Sequence, residues 1–159
     1  MKRLEISQQR VLDLFKYEDG KLFRKSDNKE VGIYSTKHHR YARVVIDGED
    51  YKLHRIIFLY HHGYLPDIID HINGDRYDNR IENLREADTY QNRQNSRIYS
   101  TSNSGVKNVY WDKKCNKWRV SFSINGKRKY FGGYDDLEEA KQIATSMRDK
   151  YFKQFANHG

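Results

Sequence analysis

Residues 68–92 read IIDHINGDRYDNRIENLREADTYQN. The branched apolar run Ile68–Ile72 predicts a short strand, and Asn73-Gly74-Asp75 supplies the turn chemistry that stops it. A polar loop then runs to Asn83, and Leu84–Ala87 predicts a second short strand. Asp88 followed three residues later by Gln91 is an acceptor–amide spacing that opens a helix. The helix is therefore expected to start after Asp88 or Thr89. Strand, loop, strand and helix succeed one another within 25 residues.

Asp70, His71 and Asn92 stand out chemically in this stretch. Hydrolysis of a phosphodiester needs a water, a group to take its proton, and positive charge at the phosphate. Histidine ordinarily titrates near neutrality and suits the second task. A carboxylate and an amide oxygen are hard ligands that suit Mg²⁺, which keeps several waters and uses few protein groups. Adjacent strand residues point to opposite faces, so Asp70 and His71 are expected at a distorted strand end. A calcium loop is a second reading of Asp70, Asn73, Asp75 and Glu82. It requires glycine sixth and glutamate twelfth, whereas counting from Asp70 puts Gly74 fifth and Glu82 thirteenth, so it fails on register. An isolated Asp-His pair is more often an ordinary turn or a satisfied histidine.

Upstream, Leu4, Val11, Leu12 and Phe15 are spaced for one helical face. GKLFR from Gly20 and YARVVI from Tyr41 predict strands, and Asp47-Gly48 is a hairpin turn into a third strand at 50–53. HRIIFLYHH, residues 54–62, predicts a short buried helix stopped by Gly63 and Pro66. Downstream, residues 95–104 (NSRIYSTSNS) are polar and read as a linker. Val106–Trp111, Lys117–Ile124 and Lys127–Phe131 predict three strands, with Asn125-Gly126 as a two-residue turn. Asp136 and Glu139 open a last helix, Leu137 to about Phe155. Its apolar stripe is Leu137, Ala140, Ala144, Met147, Tyr151 and Phe155.

Composition narrows the function classes. Hydrophobic residues make up 36% of 159, which implies a small or divided core. The single cysteine, Cys115, excludes a disulfide framework and a cysteine-clustered zinc site. No apolar run reaches the roughly 20 residues of a membrane span, and MKRLEISQQR has no signal-peptide core. A soluble protein of a cytoplasm is expected. The net charge of +8 points to a polyanion. Between Lys113 and Lys129 there are seven Lys/Arg and no Asp or Glu, interleaved with Trp118, Phe122 and Tyr130. A solvated surface is the plain alternative for Lys113, Lys114, Lys117 and Lys127.

From LHRIIF at Leu53, through DHINGDRYDNRIENLR, to Gln91-Asn92, the chain resembles the HNH endonucleases of bacteriophages and mobile introns. The resemblance implies a ββα-metal fold and metal-dependent cleavage of double-stranded DNA. It implies His71 as general base, with Asp70 and Asn92 holding one divalent cation, Mg²⁺ or another such as Mn²⁺. Asn83 takes the middle asparagine role, tying the loop so that His71 is oriented, and Asn79 braces the loop. Asn92 stands where many members carry histidine, an HNN variant, and the zinc cysteines of some relatives are missing, so no structural zinc is expected. His54 is expected to pack at a helix start, with phosphate contact by Arg55 as the alternative. His61 and His62 are given no catalytic role. His38 and His39 are read as a solvated loop, with phosphate contact as the alternative.

From SGVKNVYW at Ser104 through KWRVSFSINGKRKYFGGYDDLEEA, the chain resembles the plant ethylene-response-factor (integrase-type) DNA-binding domain, over roughly residues 100–157. That resemblance implies Lys107, Trp111, Arg119, Arg128 and Tyr130 as groove-facing residues. Ser104, Val109 and Ser123 stand where the plant domains carry arginine, which shifts the balance from base readout to phosphate contacts. Alternation on the second strand sends Trp118, Val120, Phe122 and Ile124 to the helix and Arg119 to the other face.

The expected architecture is α+β. A nuclease domain with an N-terminal sheet extension occupies residues 1–94, a linker 95–104, and a three-stranded antiparallel sheet packed on one long helix 105–159. The expected function is that of a monomeric, phage homing-type nicking endonuclease. The alternative is a catalytically silent, sequence-specific DNA-binding protein.

Overall fold

The computed structural model describes residues 6–32, 41–96, 98 and 102–158. The expectations for Leu4, His38 and His39 lie outside these residues. The chain divides into two compact units, Met1–Asp88 and Thr89–Gly159.

In the first unit, helix α1 (Gln8–Leu14) is capped by the Ser7 hydroxyl, which accepts from the Arg10 amide. It passes directly into β1 (Phe15–Glu18), which pairs with β2 (Lys21–Arg24), and β3 (Glu30–Val31) adds to the edge. Asp19 and Gly20 both have positive φ, 43° and 82°, as a tight hairpin turn demands. Strand β1 was not legible, because Phe15 also completes the helical spacing of Val11 and Leu12. A second hairpin, β4 (Arg43–Ile46) to β5 (Glu49–Lys52), turns at Asp47-Gly48 as expected.

Helix α2 (Leu53–His62) is the centre of this unit. Leu53, His54, Ile56, Ile57, Phe58 and Leu59 are all buried, so the helix is covered nearly all round. Gly63, left-handed at φ 78°, ends it. Strands β6 (Ile68–His71) and β7 (Leu84–Ala87) pair antiparallel, Ile68 opposite Ala87 and His71 opposite Leu84. Ile69 and Leu84 join the α2 cluster with Val11, Phe15, Leu22 and Val44. The putting of a polar loop beside a solid core is thereby fixed by two apolar side chains.

In the second unit, α3 (Thr89–Gln94) is followed by β8 (Val109–Asp112), β9 (Lys117–Ile124) and β10 (Lys127–Tyr134), in sheet order β10-β9-β8. Asn125 and Gly126 form the left-handed turn, φ 50° and 76°. β10 runs three residues beyond expectation, with a register shift between Tyr130 and Gly133. Helix α4 (Leu137–Phe152) starts at Asp136, whose Oδ1 accepts the Glu139 amide at 2.8 Å, and it packs on the sheet.

The buried face of α4 differs from the expected stripe. It is Ala140, Ala144, Arg148 and Phe152, while Tyr151 is exposed. Two alanines let the helix axis approach the sheet, and Arg148, 1% exposed, is tolerated because its guanidinium is satisfied. It donates to the Lys107 carbonyl, the Thr145 hydroxyl and His158 Nδ1. Apolar spacing alone does not reveal an arginine in that place.

Charge divides as sharply as the fold. Residues 1–88 hold 16 Lys/Arg against 16 Asp/Glu, and residues 89–159 hold 14 against 6. The whole +8 therefore sits on the second unit. Among the described residues no helix is long and apolar enough to cross a membrane.

Candidate functional site

Asp70 and His71 are both buried on β6. The β6–β7 ladder stays in register through His71, so the two side chains leave opposite faces of a regular strand. The expected distortion is not there, because each face supplies its own partner. Asp70 Oδ2 accepts from Arg85 Nε at 2.9 Å and Nη2 at 2.8 Å, from directly across the ladder. The His71 ring meets His54 edge-on at 5.2 Å and stacks with Tyr41 at 6.2 Å between centroids.

The loop between the strands is held by its own amides. Asn83 Oδ1 accepts the Asn73 amide at 3.0 Å, and its Nδ2 donates to Asn73 Oδ1 at 3.0 Å and to the Asp78 carbonyl at 2.7 Å. Asn83 thus ties the loop ends, but the contact to the His71 ring belongs to Asn79, whose Oδ1 lies 3.1 Å from His71 Nε2. Asn83 ties the loop as the sequence reading expected, and Asn79, expected only to brace it, also reaches the His71 ring. The two asparagines are four residues apart in a loop, and spacing there cannot say which reaches inward. Asp78 is held down to about 2 by its hydrogen bonds to the Arg80 guanidinium.

A brace that the sequence did not announce comes from the N-terminal hairpin. Tyr17 Oη accepts the Ile81 amide at 3.0 Å, and Gly20 lies flat against the loop. A Cβ on Gly20 would stand 2.8 Å from the Arg80 nitrogen and 3.1 Å from the Asn79 carbonyl carbon. Both are backbone atoms that cannot swing aside, and φ is already positive. The Asp19-Gly20 pair was the available signal. Gly20→Ala is expected to displace Asn79 and lower any activity that depends on His71 by at least tenfold, with a fall in melting temperature. A crystal structure or an assay showing an unmoved loop and parental activity would remove this hairpin from the site.

His54 packs as expected at the helix start. Burial, and after it the nearby His71, Lys52 and Arg55, push its pKa down to about 3. The unfolded chain takes this proton near pH 6.5 and the folded chain only near 3, so folding is opposed as pH falls between them. Each pH unit in that window costs about 1.4 kcal/mol from this group. Chemical denaturation at pH 7, 5.5 and 4.5 should show a steep acid loss that His54→Gln flattens; an equally steep loss in the variant would acquit His54. Arg55 Nη1 donates to the Asp67 carbonyl at 3.2 Å, holding the approach to β6.

Asn92 is exposed on α3, which is anchored within the second unit. Tyr90 Oη donates to the Ser123 carbonyl and accepts the Asn125 amide, its ring meets Phe152, and Asn157 Nδ2 donates to both oxygens of Asn95. Asp70, His71 and Asn83 are thus gathered on one unit, and Asn92 is carried by the other. Among the described residues no three His, Cys, Asp or Glu side chains cluster as metal ligands.

On the sheet, ladder parity sorts the DNA-contact candidates. Tyr110 lies opposite Arg119, and Tyr130 opposite Ser121, so these share the face away from α4. The Arg128 guanidinium sits 5.7 Å from the Tyr110 ring and 5.8 Å from Tyr130, and donates to the Ser121 hydroxyl. Tyr130 is 63% exposed. Tyr110 was missed, although it lies one residue from Trp111 and parity identifies it. Trp111 is corrected to the helix side, where it lies opposite Trp118, ring to ring at 5.0 Å. Arg119 does face outward, but it is engaged by Asp112 and Cys115, each at 3.3 Å. Lys107 is corrected too: its ammonium donates to the Gln94 and Ser96 carbonyls, closing the end of α3. Burial, and then Arg148, lower its pKa to about 8.

Comparison with known proteins places residues 51–98 under the family model described as HNH endonuclease. Protein 3.8 of Escherichia phage T7 is 33% identical over 81 residues, covering 51% of this chain and 67% of that protein. No solved structure matches the chain.

Proposed function

From a chain that belongs to one family with Protein 3.8 of Escherichia phage T7 and carries an HNH endonuclease domain over residues 51–98, we propose a DNA endonuclease that nicks one strand of double-stranded DNA, of the phage homing type. The carrying observation is His71, buried on β6 with Asn79 Oδ1 at its Nε2. We assign the ring proton to Nε2, which faces Asn79 Oδ1, and the base role to Nδ1. His71 Nδ1 takes the proton of a water as its oxygen forms a bond to phosphorus, and the opposite P–O bond breaks to release an alkoxide that is then protonated. A divalent cation, when bound by Asp70 and Asn92, supplies positive charge to the phosphoryl oxygens and the leaving oxygen. Arg85, beside Asp70, fixes the carboxylate; Asn83 and the Tyr17–Gly20 hairpin hold the loop from which Asn79 reaches. One such motif per chain gives one cut per binding event, from a monomer.

The second unit grips DNA. Its +8 draws phosphate, and Tyr110, Arg128, Tyr130 and Arg119 line the sheet face away from α4. Arg128 between two tyrosines offers a cation backed by flat rings.

A second reading, a silent DNA-binding protein on an inherited scaffold, is favoured by the Asp70–Arg85 ion pair, which satisfies a buried carboxylate without metal. Asn92 separates the readings best, because it is exposed and its loss leaves no buried charge unpaired. Asn92→Ala is expected to raise the Mg²⁺ concentration for half-maximal cleavage by at least tenfold. Cleavage at the parental rate under limiting Mg²⁺ would exclude Asn92 as a ligand.

A further inference from the structure

The sheet face turned away from α4 carries Tyr110 on β8, Ser121 and Ser123 on β9, and Arg128 and Tyr130 on β10. The central strand offers only small side chains there, and the buried Ser121 hydroxyl accepts from Arg128. Tyr110 and Tyr130 stand on the two outer strands, with the Arg128 guanidinium between them at 5.7 and 5.8 Å from their rings. Three flat groups therefore cross the sheet in a row, and they are open to solvent: Tyr130 is 63% exposed and Tyr110 38%. The N–H groups suited to reading a duplex are largely engaged by the protein itself. Arg119 donates to Asp112 and Cys115, and Arg128 turns both Nε and Nη2 on Ser121. A duplex presents base edges in its grooves, which such donors recognise, while its base planes are covered by one another. Exposed tyrosine rings beside a guanidinium plane match the planes of unstacked bases instead.

Charge makes the occupant a polyanion. Asp112, the carboxylate that these strands place on the outer face, is engaged by Arg119. Arg128 also lines a cavity of about 570 Å³ with Arg93 and Lys107, and no Asp or Glu is among its lining residues. We propose that the outer face is a stacking platform for single-stranded DNA. One base rests on Tyr110 and another on Tyr130, and the charge of Arg128 meets the phosphate between them. The inference rests on the reading that the second unit holds DNA, and not on the chemistry of His71. A duplex is still held, through its phosphates, by the exposed lysines of the run from Lys113 to Lys129.

The test uses the full chain with chelator present, so that no strand is cut. A labelled oligothymidine and a labelled blunt duplex of equal length are titrated by fluorescence anisotropy. The parent is expected to bind both. Tyr110→Ala and Tyr130→Ala should each weaken oligothymidine binding about tenfold, since stacking on one ring is worth that much, and leave duplex affinity within about threefold. Tyr130→Phe keeps the ring and should bind as the parent does. Both tyrosines are exposed, and an unchanged melting temperature shows that a loss is one of contact. The proposal is overturned if the alanine variants bind oligothymidine like the parent, if duplex binding falls as far as single-strand binding, or if Tyr130→Phe is as weak as Tyr130→Ala. The parent alone separates the readings. A parent that binds duplex but not oligothymidine defeats the platform and leaves the grip, whereas one that binds neither defeats both. Plasmid nicking with Mg²⁺, measured in parallel, reports on the nuclease independently of either.

Discussion

His71→Ala is expected to slow DNA cleavage by about 10²–10⁴-fold, the usual contribution of a positioned general base, while DNA affinity stays within about twofold of the parent. The expectation follows from where the positive charge lies. The unit that carries His71 is formally neutral and the other carries all +8, so losing one imidazole removes chemistry and leaves the grip. Near-parental cleavage at neutral pH by a folded His71→Ala protein would remove His71 from the mechanism, and with it the functional meaning of the Asn79 contact.

The second large effect concerns the grip. Lys113, Lys114, Lys127 and Lys129 are exposed and belong to the acid-free run on the second unit. Replacing all four with glutamine lowers the net charge from +8 to +4. If each meets a phosphate, the slope of log K against log salt should flatten by up to about 3.6, and affinity should fall on the order of 10²–10³-fold at low salt. Catalysis at saturating DNA should be nearly unchanged, since none of the four lies on the His71 unit. An unchanged slope would mean that these lysines are merely solvated and that contact runs through other residues of the sheet.

What was legible in the sequence, and what was not, has a physical pattern. Local chemistry spoke clearly where one residue type decides the backbone. Asp47-Gly48 and Asn125-Gly126 turned where expected, Asp136 capped α4, Gly63 ended α2, and Leu84–Ala87 was found with its exact bounds. Periodicity misled where two periods share the same residues, as at Phe15, which ends a helical spacing and begins a strand. It also misled on α4, where the face toward the sheet includes Arg148, whose guanidinium is satisfied by Thr145 one turn back and by His158 and the Lys107 carbonyl from outside the helix. Side-chain partners that depend on the third dimension were the least legible. Asn79 reaches the His71 ring from a loop that Asn83 ties, Lys107 closes a helix instead of facing a groove, and Tyr110 takes the outward place first given to Trp111. The last of these depends on the β8–β9 register, Tyr110 opposite Arg119 and Trp111 opposite Trp118, which the Asn125-Gly126 turn between β9 and β10 does not set. The Gly20 brace was within reach only in part: the Asp-Gly turn was visible, but nothing in it says that the turn lies on residues 79–80.

The most direct measurement is conversion of supercoiled plasmid to open circle by the full-length parent and His71→Ala proteins, each with Mg²⁺ and with chelator. The account predicts open circles from the parent with Mg²⁺ alone, with linear DNA appearing only on prolonged incubation. It would be contradicted by a parent that leaves the plasmid supercoiled while still binding it, or by a His71→Ala protein that nicks as fast as the parent.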